Sequence, residues 1–351
     1  MVERVEFFPR PLSRRAVVKG LTGLTLTLVG IGCTPVSSSP PATPTLHRPT
    51  PAPSEKITLS IPVLTYRGHK GTVDAVVWHG MRIASGSYDG TVQVWDAATR
   101  SNTLTYRGHS SKVSAVAWSP DGRRIASGSY DATVQVWNAA TGNHLLTYQG
   151  HALAVSDVTW SHDGKRIASA SFDATVQVWD ATAGKHLLTY HGGDSPILQV
   201  GWSPDDKLIV SASENGMVIV WDAATGTDVF VYHGHTASVI TARWSLAGAR
   251  IASGGLDGTV QVWDATTGKH VLIYHGHAGS IVTDVAWSPH GDRLASGGAD
   301  ETVQVWKTTT GERTLTYDGH TSTVLQLAWS PDATRIASGS DDMTVQICQA
   351  G

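Results

Sequence analysis

Ile125–Trp137 reads IASGSYDATVQVW, and the chain returns to that phrase repeatedly. Close copies end at Trp95, Trp179, Trp221, Trp263 and Trp306, and a degraded copy ends at Cys348. Ahead of each copy comes Gly-His followed by an apolar alternation that closes on Trp, clearest from Gly108-His109 to Trp118. The histidines are His69, His109, His151, His235, His277 and His320, with Gly193 where a seventh would fall, and neighbouring copies lie 40 to 43 residues apart. Self-similarity at a fixed period dictates architecture before any local reading does. Seven repeats run from about Leu64 to the C-terminus and hold all 13 tryptophans.

Within a repeat the pattern predicts four short strands. Val113–Trp118 alternates in hydrophobicity, and Pro120-Asp121-Gly122 is hairpin chemistry. Ile125–Ser129 follows, Asp131-Ala132 turns the chain, and Thr133–Trp137 is a β-branched third strand. After Ala140-Thr141-Gly142 comes the fourth, Leu145–Gln149. No segment of a repeat has the length or period of a helix. A four-stranded sheet with two apolar faces must stack on its neighbours, and a ring of such sheets buries every face. The last repeat stops at its third strand, Thr344–Cys348, whereas Val63–Arg67 at the front copies the fourth strand, Leu104–Arg107. Joining the two leaves no sheet edge unpaired at the seam.

Gly-His with Trp-Asp about 27 residues later, at this period, resembles the WD-repeat β-propeller family over about four-fifths of the chain. The resemblance implies an all-β, seven-bladed propeller of four-stranded antiparallel blades, closed by the N-terminal strand joining the last blade. Asn138, Lys307 and Gln349 replace the usual Asp after their blades' Trp or Cys. The family's internal hydrogen-bond tetrad transfers to His109, Ser127, Asp131 and Trp137 in the second repeat. Its counterparts are His69, Ser85, Asp89, Trp95; His151, Ser169, Asp173, Trp179; His235, Ser253, Asp257, Trp263; and His277, Ser296, Asp300, Trp306. A buried indole N–H needs an acceptor, a hydroxyl supplies it, and an imidazole passes the chain on to a carboxylate. Such a chain is tolerable only when every member is satisfied. Because the His, Ser and Asp recur once per repeat, they read as structure and not as a hydrolytic triad. Gly193 and Asn215 break the fourth tetrad and Cys348 the seventh, so those blades are expected to be the least stable. The pairs His233/His235 and His275/His277 have metal-ligand spacing, but the second member of each is a tetrad histidine. Neither a metal nor a cofactor is expected.

In family members the face carrying the Gly-His loops usually meets partners. Two variable positions per repeat are expected to point there. One precedes the tetrad acid: Tyr88, Tyr130, Phe172, Glu214, Leu256, Ala299 and Asp341. The other lies four residues before the first Trp: Asp74, Ser114, Ser156, Leu198, Ile240, Thr283 and Leu325. Tyr88, Tyr130 and Phe172, continued by Leu198 and Ile240, read as an exposed arc of the kind that binds protein or peptide. A basic ring, Arg82, Arg124, Arg166, Lys207, Arg250, Arg293 and Arg335, reads as a solvated rim or as a loose dock for anionic polymer or lipid.

Ahead of the repeats, residues 1–33 read as a targeting segment. Arg4, Arg10, Arg14, Arg15 and Lys19 give a basic start and Leu21–Gly32 an apolar run too short to span a bilayer. Ser13–Lys19 resembles a bacterial twin-arginine export motif, and Gly30-Ile31-Gly32-Cys33 a lipoprotein cleavage site with Cys33 as the lipidated residue. Residues 34–57, rich in Ser, Thr and Pro, form a semi-rigid tether, and 58–351 the propeller. A hydrophobic content of 41% suits a globular chain, and a net charge of −3 argues against general nucleic-acid binding. The reading is a monomeric, non-catalytic interaction scaffold, exported and touching the membrane only through its N-terminal anchor. A propeller hydrolase acting on peptide or glycan, and a cytoplasmic scaffold, are the alternatives.

Overall fold

The computed structural model describes residues 57–59, 62–277 and 279–351. The export motif, Cys33 and the tether up to residue 56 lie outside them. Among the described residues seven sheets form, each built on a four-stranded antiparallel blade of the same recipe. Blade 2 has an inner strand Val113–Trp118, then Arg124–Ser129, Val134–Asn138 and an outer strand His144–Tyr148. These bounds differ from the sequence expectation by a residue, because pairing reaches one step into the flanking turns.

Asp121-Gly122 and its counterparts make the tight hairpins, with Gly122 at φ 66°. The residue after each tetrad acid also sits in the left-handed region. Gly90 takes it at φ 80°, but Ala132, Ala174, Glu301 and Met343 adopt φ 65–67° without glycine's freedom.

Inner strands of successive blades pack side by side, and the inner strand of blade 7, Val324–Trp329, meets that of blade 1, Val73–His79, so the ring is closed. The outer strand of blade 7 comes from the N-terminal side. Leu64–Tyr66 pairs antiparallel with Val345–Gln349, Leu64 opposite Ile347 and Tyr66 opposite Val345. One strand was not anticipated: Ile57–Leu59, beginning on the last residue assigned to the tether, runs parallel to the outer strand of blade 6, Arg313–Tyr317.

The core lies between blades. One cluster joins Val134 and Val136 of blade 2 to Ile167 and Trp179 of blade 3, and every tetrad indole is fully buried. Across six of the seven seams a tyrosine lies flat on the next blade's tetrad indole, as Tyr66 on Trp95 at 4.4 Å, Tyr106 on Trp137 at 4.5 Å and Tyr190 on Trp221 at 4.4 Å; at the seventh, Tyr317 faces a blade with Cys348 in place of the indole. The tyrosine hydroxyl donates to a glutamine of that next blade, as Tyr106 does to Gln135 at 2.7 Å and Tyr232 to Gln261 at 2.6 Å. Blade 4 has Ile219 in place of the glutamine, and Tyr190 turns to Asp228 at 2.7 Å. Sequence reasoning missed this latch, although a Tyr two residues before Gly-His and a Gln two before Trp recur in most repeats.

The basic ring is not a free rim. Arg82 stacks on Trp118, Arg124 on Trp160, Arg166 on Trp202, Arg293 on Trp329 and Arg335 on Trp78, each on the following blade. Their guanidinium groups also donate to carbonyls there, Arg82 to Gly122 at 2.9 Å and Arg166 to Asp206 at 2.8 Å. The flat guanidinium finds an indole face across the seam, so five of the seven expected rim charges are clamps.

Candidate functional site: the loop face of the ring

On the Gly-His face each histidine is locked. His109 Nδ1 lies 2.9 Å from Asp131 and Nε2 2.8 Å from Ser127 Oγ. His69, His151, His235, His277 and His320 repeat this with Asp89, Asp173, Asp257, Asp300 and Asp342, and their side chains are 0–1% exposed. The indole N–H can only donate and the carboxylate can only accept, so the hydroxyl donates to Nε2 and Nδ1–H donates to the acid. Burial acts to raise these carboxyls, yet hydrogen bonds from histidine, threonine and main-chain N–H outweigh it. Asp89, Asp131 and Asp173 are held well below the ordinary carboxylate range, and Asp257 and Asp342 at about 2.

The indole end of the tetrad is less uniform than expected. Trp95 donates to Ser85 at 3.2 Å, Trp137 to Ser127 at 3.3 Å and Trp221 to Ser211 at 3.3 Å. Trp179, Trp263 and Trp306 keep buried Nε1 atoms without an acceptor among the described residues, although Ser169, Ser253 and Ser296 all reach their histidines at 2.8 Å. Those three indoles also stack less closely, at 4.8–4.9 Å from their tyrosines. In blade 4, Asn215 accepts from the Ser213 hydroxyl and the Met217 N–H, retaining the turn role of the acid without a histidine. Blade 7 keeps His320, Ser338 and Asp342 joined, with Cys348 buried where the indole would be and its thiol pushed up to about 12 by that burial.

The exposed arc is corrected. Leu198 and Ile240 are 0% exposed, Leu325 1%, Asp74 2% and Phe172 5%. Every inner strand carries a bulge after its first residue, as between Val113 and Ala115 or Ile197 and Gln199. The position four before Trp is the extra residue, and a bulge re-aims its side chain into the seam. There Ser114 and Ser156 donate to the carbonyls of Val155 and Ile197 on the next blade, both at 2.5 Å. Phe172, Leu198 and Ile240 form one apolar cluster with Ala154 and Ile281, against which Tyr130, Leu256 and Ala299 pack. Asp341 is buried too, accepting from Thr72 of blade 1 at 2.8 Å. Glu214, Tyr88 and Tyr130 remain half-buried. The two tyrosine rings meet edge-on at 5.9 Å, and the Lys112 ammonium sits 4.5 Å above the first and 5.6 Å above the second.

The sequence profile of the WD domain, G-beta repeat, matches seven consecutive segments, 60–96, 100–138, 142–180, 184–222, 226–264, 268–307 and 311–348. The chain belongs to the WD40 family. Each WD40 segment spans the last strand of one blade and the first three of the next, which is why the closing strand falls in the first segment. A 49-residue stretch is 43% identical to Gem-associated protein 5 of Homo sapiens, covering 13% of this chain and 3% of that protein. The likeness therefore concerns about one WD40 repeat, and the chain corresponds to a small fraction of that relative.

Proposed function

We propose that this WD40 propeller is a non-catalytic scaffold that presents its Gly-His face to a protein or peptide, and that it is exported and held at a membrane through Cys33. The observation that carries the reading is the Lys112–Tyr88–Tyr130 ledge, an exposed ammonium over two half-buried rings. Tyrosine is enriched where interfaces concentrate their energy, because it brings a rigid apolar face with a polar tip. The buried state of the His–Asp–Ser sets supports the non-catalytic half: a base whose two nitrogens are engaged and shielded has no free face for substrate.

Capture from the native cell envelope tests the ledge. Lys112→Glu alters an exposed side chain, so it should lose the partner while keeping the melting temperature. Retained capture would remove the ledge from the proposal. Hydrolysis of peptide or glycan substrates by the purified chain, in proportion to enzyme, would replace the scaffold reading with the catalytic one.

A further inference from the structure

The face opposite the Gly-His loops carries a second candidate. The central channel opens there into two cavities of about 400 and 370 Å³, walled by first-position tryptophans, and Arg243 lines both. Its counterparts one residue before Trp are Val77, Ala117, Thr159, Gly201, Ala286 and Ala328, all small or neutral. In a chain whose repeats are nearly verbatim, an arginine at this inner-strand position in one blade alone is a departure that demands a cause.

Other departures gather beside it. Trp244 and Trp287 flank Arg243 in the larger cavity and, among the described residues, have no arginine stacked on them, unlike their counterparts in blades 1, 2, 3, 4 and 7. Leu246 takes the hairpin position held by proline in most blades and is 61% exposed. Ala247 follows it, where Asp121, Asp163, Asp205 and Asp332 stand in theirs. This sector has thus gained a cation and an apolar side chain and lacks the hairpin carboxylate.

Arg243 is underused. Its guanidinium lies 3.9 Å from Asp284, too far for a hydrogen bond, and its side chain is 29% exposed. Asp284 is already served by the Thr241 hydroxyl at 3.0 Å and the Leu327 N–H at 2.9 Å. Among the described residues no side-chain hydrogen bond of Arg243 is made, so a five-donor fork faces the cavity with its pairing capacity unspent.

We propose that this mouth binds a carboxylate carried on an apolar body. The planar carboxylate matches the guanidinium fork, and Trp244, Trp287 and Leu246 receive the apolar part. A monoanion fits better than a dianionic phosphate, because buried Asp284 already balances part of the Arg243 charge. A cavity of this size accepts one such group. The C-terminal residue of a peptide and a free aryl acid share this chemistry.

Calorimetric titration of the full-length chain with acetyl-Gly-Leu-Phe, 3-phenylpropionate and the amides of both tests the site. Saturable binding of an acid is expected, with its amide roughly tenfold or more weaker, as for loss of a charge-assisted hydrogen bond. Arg243→Met should abolish that preference at an unchanged melting temperature. If that variant is destabilised, Leu246→Ser, which changes an exposed side chain, should weaken binding several-fold, and unchanged binding there overturns the proposal. Binding of the peptide acid alone assigns the site to a chain terminus, and binding of both acids extends it to small acids. Equal affinity for acid and amide, preference surviving Arg243→Met, or no saturable binding of either acid overturns it.

Discussion

The side-chain oxygen of Gln326 in blade 7 accepts the main-chain N–H of Val76 in blade 1 at 2.7 Å. This bond crosses the seam where the two ends of the ring meet. Asp157 makes the same reach to Val200 at 3.2 Å, Gln199 to Ala242 at 2.7 Å and Asp284 to Leu327 at 2.9 Å. Ala75 and Ala115 occupy the position in blades 1 and 2, so those seams lack this bond and are joined by the tyrosine latches, the arginine clamps and, between blades 2 and 3, the Ser114 hydroxyl.

Replacing Gln326 by Leu should therefore cost about 1–3 kcal/mol, the penalty for a buried N–H left without an acceptor. Denaturant unfolding would show it as a lower midpoint. A midpoint equal to that of the unaltered chain would mean that the seam does not depend on this bond.

Deleting the chain through Arg67 removes Leu64–Tyr66 from blade 7, together with the Tyr66 stack on Trp95 and its bond to Gln93 at 2.6 Å. Aggregation or loss of a single cooperative melt is expected, because an open strand edge and a bared indole are left behind. Deletion through Pro53 retains both the Leu64–Tyr66 and Ile57–Leu59 strands and should melt as the full chain does. Coincident melting curves for the two truncations would refute closure by this strand.

Acid stability follows from the tetrad carboxylates. An ordinary aspartate titrates near 3.9 when unfolded, whereas Asp257 and Asp342 in the fold lie at about 2. A depressed pKa contributes stability that is complete above the unfolded value and lost as pH falls through the folded one. The melting temperature should hold above about pH 4 and drop toward pH 2. Asp257→Asn with Asp342→Asn should lower stability at neutral pH but flatten the acid decline. A decline as steep as that of the unaltered protein would locate the effect elsewhere.

Arg124→Ala removes a cation from the Trp160 face and a donor to the Ala181 carbonyl at 3.0 Å. A loss of about 1–2 kcal/mol is expected. Lys207 has no such stack among the described residues, so Lys207→Ala should stay within about 0.5 kcal/mol. Similar losses for the two would show that the stacks contribute little. Binding of anionic vesicles that disappears in Arg124→Ala would restore the rim reading.

For the N-terminal segment, Arg14→Lys with Arg15→Lys should leave the protein in the cytoplasm, and Cys33→Ser should free it from the membrane fraction. Unaltered membrane association of the Cys33 variant would dismiss the lipid anchor.

The sequence alone determined the number of blades, the strand order within each and the closing strand. A period of 40 to 43 residues with fixed turn chemistry admits few other solutions. The resemblance to the WD-repeat family pointed to the His–Ser–Asp chain, and its recurrence once per repeat marked it as structural. The side-chain directions at the seams came only with the tertiary structure. A single bulge in each inner strand turned Leu198 and Ile240 from an imagined surface into a sealed cluster. Arg82 and its equivalents became clamps because each indole belongs to the next blade, 36 residues along the chain from Arg82 to Trp118. Alternation tells which face of a strand a residue occupies. Whether that face meets water or a neighbouring sheet is settled by how the blades are rotated against one another, and no pattern within one repeat encodes that.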